Sequence, residues 1–445
     1  MATPAPLYRL VLLLIFCYFL GICLGSTSSL YPEDRQCATA RYAHKHRVFV
    51  ATDISNEPDD QMSLVRLLAY ANELDLQGLA VVTSVWKNDS LDTAAVMTVL
   101  DAYADVTALL DAHVPAGAAY PRAEALRALV HEGHPVYGLA ALELPPSAAA
   151  LALIAAADAA SAADPLYVCL WGGAGVLAEA LHHVSQIRSS SPDDVAAFVR
   201  KLRVYAISDQ DDAGAWLRTN YPSLFYVVSL HGFSEYTQAS WNGISGEAYR
   251  HFDRGGPDTS LVTNDWLQRH VRVGVLGGAH YPNFTFIMEG DTPDAADVAV
   301  GVDGEIHVSA FAGIWRWRQA YQHDFAARMQ WTTANNTAQN KNNNHAPVVV
   351  VNGTCGPDPV KLSYRFGEGA VIVVDAASGS WDPDGDGLAF DWFHYREVTA
   401  RMQEGVITKV SEDIRIEKLD PTGGVVSLEP LKNQIGTPWH DEQRE

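Results

Sequence analysis

From Arg47 onward the apolar positions follow two alternating patterns. Short continuous apolar runs, RVFVATD and LQGLAVVTSV, are each followed by a longer stretch of helical spacing, LVRLLAYANEL and TAAVMTVLDAYADV. Continuous apolar runs belong to strands covered on both faces, and their alternation with helices predicts an α/β domain built on an open, mostly parallel sheet with helices on both faces. Further strands are expected at Pro135–Ala140 (PVYGLA), Leu166–Trp171, Leu202–Ile207, Phe225–Leu230 and Phe284–Met288. The Ala- and Leu-rich stretch from Ser147 to Ala163 is expected to be a helix, because Ala and Leu head the helix propensity scale.

The pattern changes after WRWRQAYQHDFAARMQW, itself helix-like. Residues 332–345, TTANNTAQNKNNNH, are an Asn-rich linker that can bury almost nothing. Beyond it VVVVNG, SYRF, AVIVVDAAS, LAFDWFHY and the segments around Val406 and Val425 predict short strands at turn-punctuated spacing. That spacing suggests a small Ig-like β-sandwich over residues 346–445, expected to be incomplete because EPLKNQIGTPWHDEQRE offers no convincing final strand. The first domain is expected over residues 46–331.

A chain of 445 residues with 48% hydrophobic composition can build both cores. Its formal charge of −22 argues against a nucleic-acid polymer as partner and leaves neutral sugars and cations open. Residues 1–25, with Arg9 flanking the apolar run Leu10–Leu24, read as a secretory signal, so the mature protein is expected to be secreted, with no membrane contact. No other segment reads as a bilayer span. Sequons at Asn88, Asn283, Asn335 and Asn352 suit that route and predict a glycoprotein. With Cys17 and Cys23 lost to the signal, Cys37, Cys169 and Cys355 remain; Cys169 reads as a buried thiol, and a Cys37–Cys355 bridge is conceivable.

Chemistry concentrates where predicted strands end. RVFVATDISNEPDDQM ends an apolar run in Asp53, Ser55, Asn56, Glu57, Asp59 and Asp60, a set of hard oxygens suited to Ca²⁺ or Mg²⁺. The competing reading is helix capping, since acids favour a helix's first turn. In VCLWGGAGVLAEAL, Trp171 and the Gly172–Gly173 turn open a helix at another strand end, where backbone groups can approach a ligand. Gly173, Gly175 and Ala178 fit a loose dinucleotide spacing, but the acids that follow, Asp193 and Asp194, look like a helix start. SDQDDAG adds Asp209 and Asp211, and FIMEGDTPD adds Glu289 and Asp291. In the second domain Asp382, Asp384 and Asp386 alternate in a pattern that either binds Ca²⁺ or forms a plain Asp-Gly turn.

These phrases, together with HYPNFTFIMEGDTP and DPDGDGLAFDWFHYRE, resemble a family of secreted cellulose-binding proteins with a nucleoside-hydrolase-like domain and a small C-terminal β domain. The calcium-dependent nucleoside hydrolases end their first strand in Asp-x-Asp-x-x-x-Asp-Asp; here the frame reads Asp53-x-Ser55-x-x-x-Asp59-Asp60. The resemblance implies Ca²⁺ held by Asp53, Asp59, Asp60, Asp291 and a carbonyl near Gly173. Asp53, Asp59 and Glu57 are then the candidate catalytic groups around an activated water. Asn56, Trp171, Asp209, Asp211, Asn283 and Glu289 are the candidate substrate-binding residues. Ser55 departs from the pattern, standing where the hydrolases place an Asp that binds metal and water.

The leading expectation is therefore a secreted, calcium-activated hydrolase of N-glycosidic bonds acting on a small glycoside. The alternative is a non-catalytic protein that binds cellulose or another plant polysaccharide on a degenerate hydrolase fold.

Overall fold

The computed structural model describes residues 30–31, 35, 37, 44–115, 117–228, 244–245, 258–283, 288–290, 297–300, 306–309, 312–333, 343–356, 371–394, 401–403, 406–409 and 414–429. The expected signal (residues 1–25), most of the linker, Phe284–Phe286, Asp291, Asn335 and the C-terminal tail from residue 430 lie outside the described residues.

Six parallel strands form the central sheet: β1 (Arg47–Thr52), β2 (Asp75–Val81), β3 (Val130–Glu132), β4 (Leu166–Leu170), β5 (Leu202–Ala206) and β6 (Phe225–Val228). Their order is β3-β2-β1-β4-β5-β6, so the chain reverses its direction of travel between β1 and β4. Such a switch point opens a crevice beyond the strands' carboxyl ends. The helices that flank the sheet include α1 (Asp59–Ala69), α2 (Thr93–Asp111), α3 (Ala148–Ala159), α4 (Gly175–Ile187), α5 (Ala213–Asn220) and α6 (Arg318–Trp331).

β1 shows why its run is apolar throughout. Val48 and Val50 pack on one face with Leu64, Leu68, Val99, Tyr103 and Phe325. Phe49 and Ala51 pack on the other with Leu153, Val168, Leu177 and Leu181. Alternate residues of a strand point to opposite faces, and here both faces are covered. α3 starts at Ser147, whose side chain accepts the Ala150 N–H at 3.1 Å and satisfies a donor that the first turn leaves open.

Three sequence expectations change. The strand expected at Pro135–Ala140 lies instead at Val130–Glu132, and Gly138–Glu143 forms a 3₁₀ turn. Pro135 has no N–H for a ladder, Gly138 adopts φ +43°, and Asp212 accepts the Leu139 N–H at 2.8 Å, which together favour a turn. Secondly, α2 is long and apolar enough to cross a membrane, yet it buries Val96, Val99, Leu100, Tyr103 and Val106 in the first core. Lastly, the described part of LAFDWFHY, residues 388–394, has no regular strand. Its Trp392 instead donates Nε1–H to the Gly423 carbonyl at 2.8 Å.

The second domain contains a three-stranded antiparallel sheet, β7 (Ile372–Asp375), β8 (Arg415–Lys418) and β9 (Val425–Glu429), with β9 central. It is tied to the rest of the chain by a Cys37–Cys355 disulfide, and Trp381 donates Nε1–H to the Cys37 carbonyl at 3.0 Å. A buried stack of Trp331, His113 and His345 continues this seam. Asp384 receives the His345 backbone N–H at 2.7 Å and faces its Nδ1 at 2.8 Å. Asp382 accepts the N–H groups of Asp384 and Asp386 at 2.8 and 3.2 Å. The Asp-rich segment is thus an Asp-Gly turn whose second carboxylate holds the seam.

Candidate functional site

β1 ends in Thr52 and delivers Asp53 to the switch point. Pro58 then starts α1, with Asp59 and Asp60 in its first turn. The capping reading is therefore right for these two acids, but it is not sufficient: Asp53, Asp59 and Asp60 are only 3%, 4% and 2% exposed. Capping acids normally stay in water, and buried carboxylates need compensation. Thr52 donates its hydroxyl to Asp60, and Asp60 and Asp53 share a hydrogen bond. Two buried carboxylates in that relation require a proton or a cation between them. Burial accordingly raises the Asp53 pKa above the usual range, and Asp53 Oδ2 has no hydrogen-bond partner among the described residues.

The loop after β2 supplies what sequence reading missed. Ser84 hydrogen-bonds to Asp53, and its Oγ lies 3.1 Å from the Trp86 N–H and 3.3 Å from the Lys87 N–H. Lys87 reaches back so that Nζ donates to the Ile54 carbonyl at 2.6 Å, and its charge favours ionised Asp53. Trp86 is 54% exposed on this loop, two residues from Ser84. Lone polar residues in a loop carry no periodic signal, so only the fold reveals that Ser84 lies by Asp53 and that Lys87 reaches the neighbouring Ile54 carbonyl.

Ser55 adopts φ +77° and lies beside Asp92, the N-cap of α2. The Ser55 hydroxyl, ahead of the Ala95 N–H, holds the Asp92 carboxyl below its ordinary pKa. The residue at the position of the hydrolases' missing Asp therefore sits against the next helix. Asn56 and Glu57 lie half-buried beside it, and the Asn56 amide reaches Glu57 at 3.4 Å. Burial raises the Glu57 pKa, with the Asp53 charge adding to it.

At the β4 end, Trp171 and Gly172 donate to the Ala51 carbonyl at 2.8 and 3.2 Å, and Gly173 donates to Thr83 at 3.0 Å. A Cβ on Gly172 would lie 3.0 Å from Asp53, so the turn after β4 runs tightly against the end of β1. Gln210, also missed, donates its side-chain amide to the Trp171 carbonyl, while its own carbonyl accepts Val85 N–H at 2.6 Å.

The other sequence candidates support this frame. Asp211 accepts the N–H groups of Gly175 and Ala213, each at 2.9 Å, and brackets the starts of α4 and α5. Asp209 is paired with Arg218 at 2.6 Å. Glu289 is 2% exposed and bound to Arg66 and the Tyr281 hydroxyl. Asn283 is exposed. Asp193 and Asp194 occupy the first turn of helix Pro192–Val199, which leaves the dinucleotide spacing without its acid.

Burial pushes the Asp211 pKa up to about 6, from 3.8. A folded-state pKa above the unfolded value means that the folded chain holds a proton the unfolded chain has lost. The resulting stability is present below about pH 4 and is lost as pH rises through about 6. The wild type should lose on the order of 3 kcal/mol across that window from this group. Urea denaturation at several pH values checks this: an Asp211→Asn variant, though less stable, should show a shallower slope, and an unchanged slope would refute the assignment.

A six-stranded parallel sheet with buried carboxylates at its switch point defines an open α/β protein with a strand-end site. Residues 47–308 match the nucleoside hydrolase-like domain of the cellulose-binding Sde182 family, and residues 372–440 match the C-terminal domain of cellulose-binding protein Sde0182. The chain belongs to this family. Among solved structures it is similar to a nucleoside hydrolase-related hypothetical protein from Saccharophagus degradans associated with carbohydrate metabolism. The two are 29% identical with a TM-score of 0.67, over 88% of this chain and 92% of that one. A search of curated proteins gives no match.

Calcium is the cation that the resemblance implies. The described residues fit it incompletely: Ser55 stands in place of an acid of the hydrolases' frame, and Asp291, the implied distant ligand, lies outside the described residues. Among the described residues no group of three or more His, Cys, Asp or Glu is arranged to hold a metal.

Proposed function

We propose that this protein is a secreted glycan-binding protein that uses the strand-end crevice to grip sugar hydroxyls without cleaving the glycosidic bond. The observation that carries this reading is Ser55 itself, which stands where the hydrolases' frame has an Asp. It leaves no carboxylate at the position where the hydrolases activate water. An ionised carboxylate accepts hydrogen bonds only, so the half-buried Glu57 suits vicinal hydroxyls, which donate. An exposed ring such as Trp86 offers a flat apolar face to the ring of a sugar.

The family's description as cellulose-binding supports a polysaccharide such as cellulose as the ligand class. A Cys37–Cys355 disulfide suits an oxidising, extracellular compartment. The rival reading, a calcium-activated hydrolase of N-glycosidic bonds, is favoured by the buried Asp53, Asp59 and Asp60.

Depletion of the full chain by microcrystalline cellulose, with titration of soluble cello-oligosaccharides, tests the proposal. Retention without release of reducing sugar supports it; neither retention nor oligosaccharide binding would refute it. Trp86→Ala should weaken oligosaccharide binding by about 1 kcal/mol, roughly five-fold, at unchanged stability. Unaltered affinity in that variant would place the sugar elsewhere.

A further inference from the structure

The seam between the two domains is built on Trp331, His113, His345 and Trp381, none of them more than 9% exposed. Another aromatic pair joins the same two domains but stays in water. Trp317, at the start of α6, is 39% exposed, and Phe393, in the irregular segment 388–394 of the second domain, is 52% exposed. Their ring centroids lie 5.9 Å apart. Rings that served only to hold the domains together would be covered, as Trp331 and Trp381 are. Neighbouring apolar side chains left in solvent mark a surface that meets a ligand.

Both rings are held in place by what flanks them. Beside Trp317, the buried Arg318 donates to the carbonyls of Asp258 at 2.8 Å and Ile244 at 2.9 Å, and the Tyr321 N–H donates to the Trp317 carbonyl at 3.1 Å. In the second domain Trp392 is bonded to the Gly423 carbonyl at 2.8 Å and Phe390 lies against Gly424, which leaves Phe393 on the outside. A surface fixed in advance loses little freedom when a ligand settles on it.

The make-up of the patch selects its occupant. Aromatic faces pack on the C–H faces of a pyranose ring, and the Arg316 guanidinium, 5.3 and 5.6 Å from the two centroids, brings N–H donors that hydroxyl oxygens accept. An acidic glycan would meet a chain of formal charge −22, which favours a neutral one. The two ring planes are inclined at 45°. A flat crystal face needs coplanar rings, whereas a single dissolved glucan chain twists from one sugar to the next and can follow an inclined pair.

We propose that Trp317, Phe393 and Arg316 form a second glycan subsite, built from both domains, that takes a single chain of a neutral, cellulose-type β-glucan. The subsite rests on the glycan-binding reading above and extends it from the crevice to the junction of the domains.

Isothermal titration of the full chain with cellohexaose tests it, in the wild type, Trp317→Ala, Phe393→Ala and Trp86→Ala. Trp317→Ala and Phe393→Ala should each weaken binding roughly five-fold, with sedimentation and retention on microcrystalline cellulose unchanged. Saturation with cellohexaose should also change the tryptophan fluorescence less in Trp317→Phe than in the wild type. That variant keeps a ring and its packing, so the test holds where an alanine variant does not fold. Unaltered affinity in Trp317→Ala and Phe393→Ala, with binding still weakened in Trp86→Ala, would overturn the subsite and leave the crevice reading standing. No binding by the wild type would overturn both. Altered sedimentation at unaltered affinity would also overturn the subsite, and assign the rings to contact between copies of the chain.

Discussion

Glu289→Ala is expected to cost about 3–5 kcal/mol, the characteristic penalty for leaving a buried charge without its partner. Glu289 has only 2% exposure, and the Arg66 guanidinium lies against it with one contact at 2.9 Å. Arg66 projects from α1, two turns beyond Asp59 and Asp60, and also donates to Gln322 of α6 at 2.7 Å. The pair therefore fixes the helix that carries two of the three buried acids. Removal of the carboxylate strands a guanidinium over the Phe325 ring, 4.0 Å from its centroid, with too little polar surroundings to dissolve it. Urea denaturation followed by tryptophan fluorescence measures the loss. Arg66→Met combined with Glu289→Met should lose far less than Glu289→Ala, since no charge is then left behind. If Glu289→Ala costs under about 1 kcal/mol, Glu289 is open to solvent and available to a ligand after all.

Reduction of the Cys37–Cys355 bridge is the second large effect expected. The bridge spans 318 residues, and closing so long a loop in the unfolded chain removes on the order of 6 kcal/mol of its conformational freedom. What it holds is specific. The segment around Arg35 and Cys37 covers Trp381, with the Arg35 guanidinium 5.0 Å from the ring centroid, and Val348 and Val350 lie beneath. A Cys37→Ser, Cys355→Ser variant should melt earlier, the second domain separating from the first before the α/β core unfolds. Calorimetry with and without reductant checks this. A single unchanged transition would show that the His113–His345–Asp384 contacts carry the seam unaided.

The α/β half was legible wherever burial on both faces forced a continuous apolar run. β1, β2, β4 and β5 fall where the runs of Val, Leu and Ala place them, and the meeting of Asp53 with the Gly172–Gly173 turn at one sheet edge follows from strand order. Local chemistry overrode pattern in PVYGLA, where Pro135 and Gly138 favour a turn. In LAFDWFHY, alternation was met by side-chain packing without a ladder: Phe390 lies against Gly424, and Trp392 bonds to Gly423. The acids were legible as a group but not by role. Asp59 and Asp60 both start a helix and belong to the buried cluster, whereas Asp209 and Asp211 tie down α5 and the β4 turn. Lys87, Ser84 and Gln210 were invisible, because what gathers them around the ends of β1 and β4 is tertiary proximity between separate strand ends.

The central claim is that the crevice binds a sugar without cutting it. Its most direct test is release of reducing sugar from nucleosides, nitrophenyl ribosides and cello-oligosaccharides by protein shown in the same sample to bind cello-oligosaccharide. Calcium and chelator are compared, with Asp59→Asn alongside. The account predicts binding that ignores chelator and no turnover in any condition. Chelator-sensitive turnover that disappears in Asp59→Asn would contradict it and establish the hydrolase.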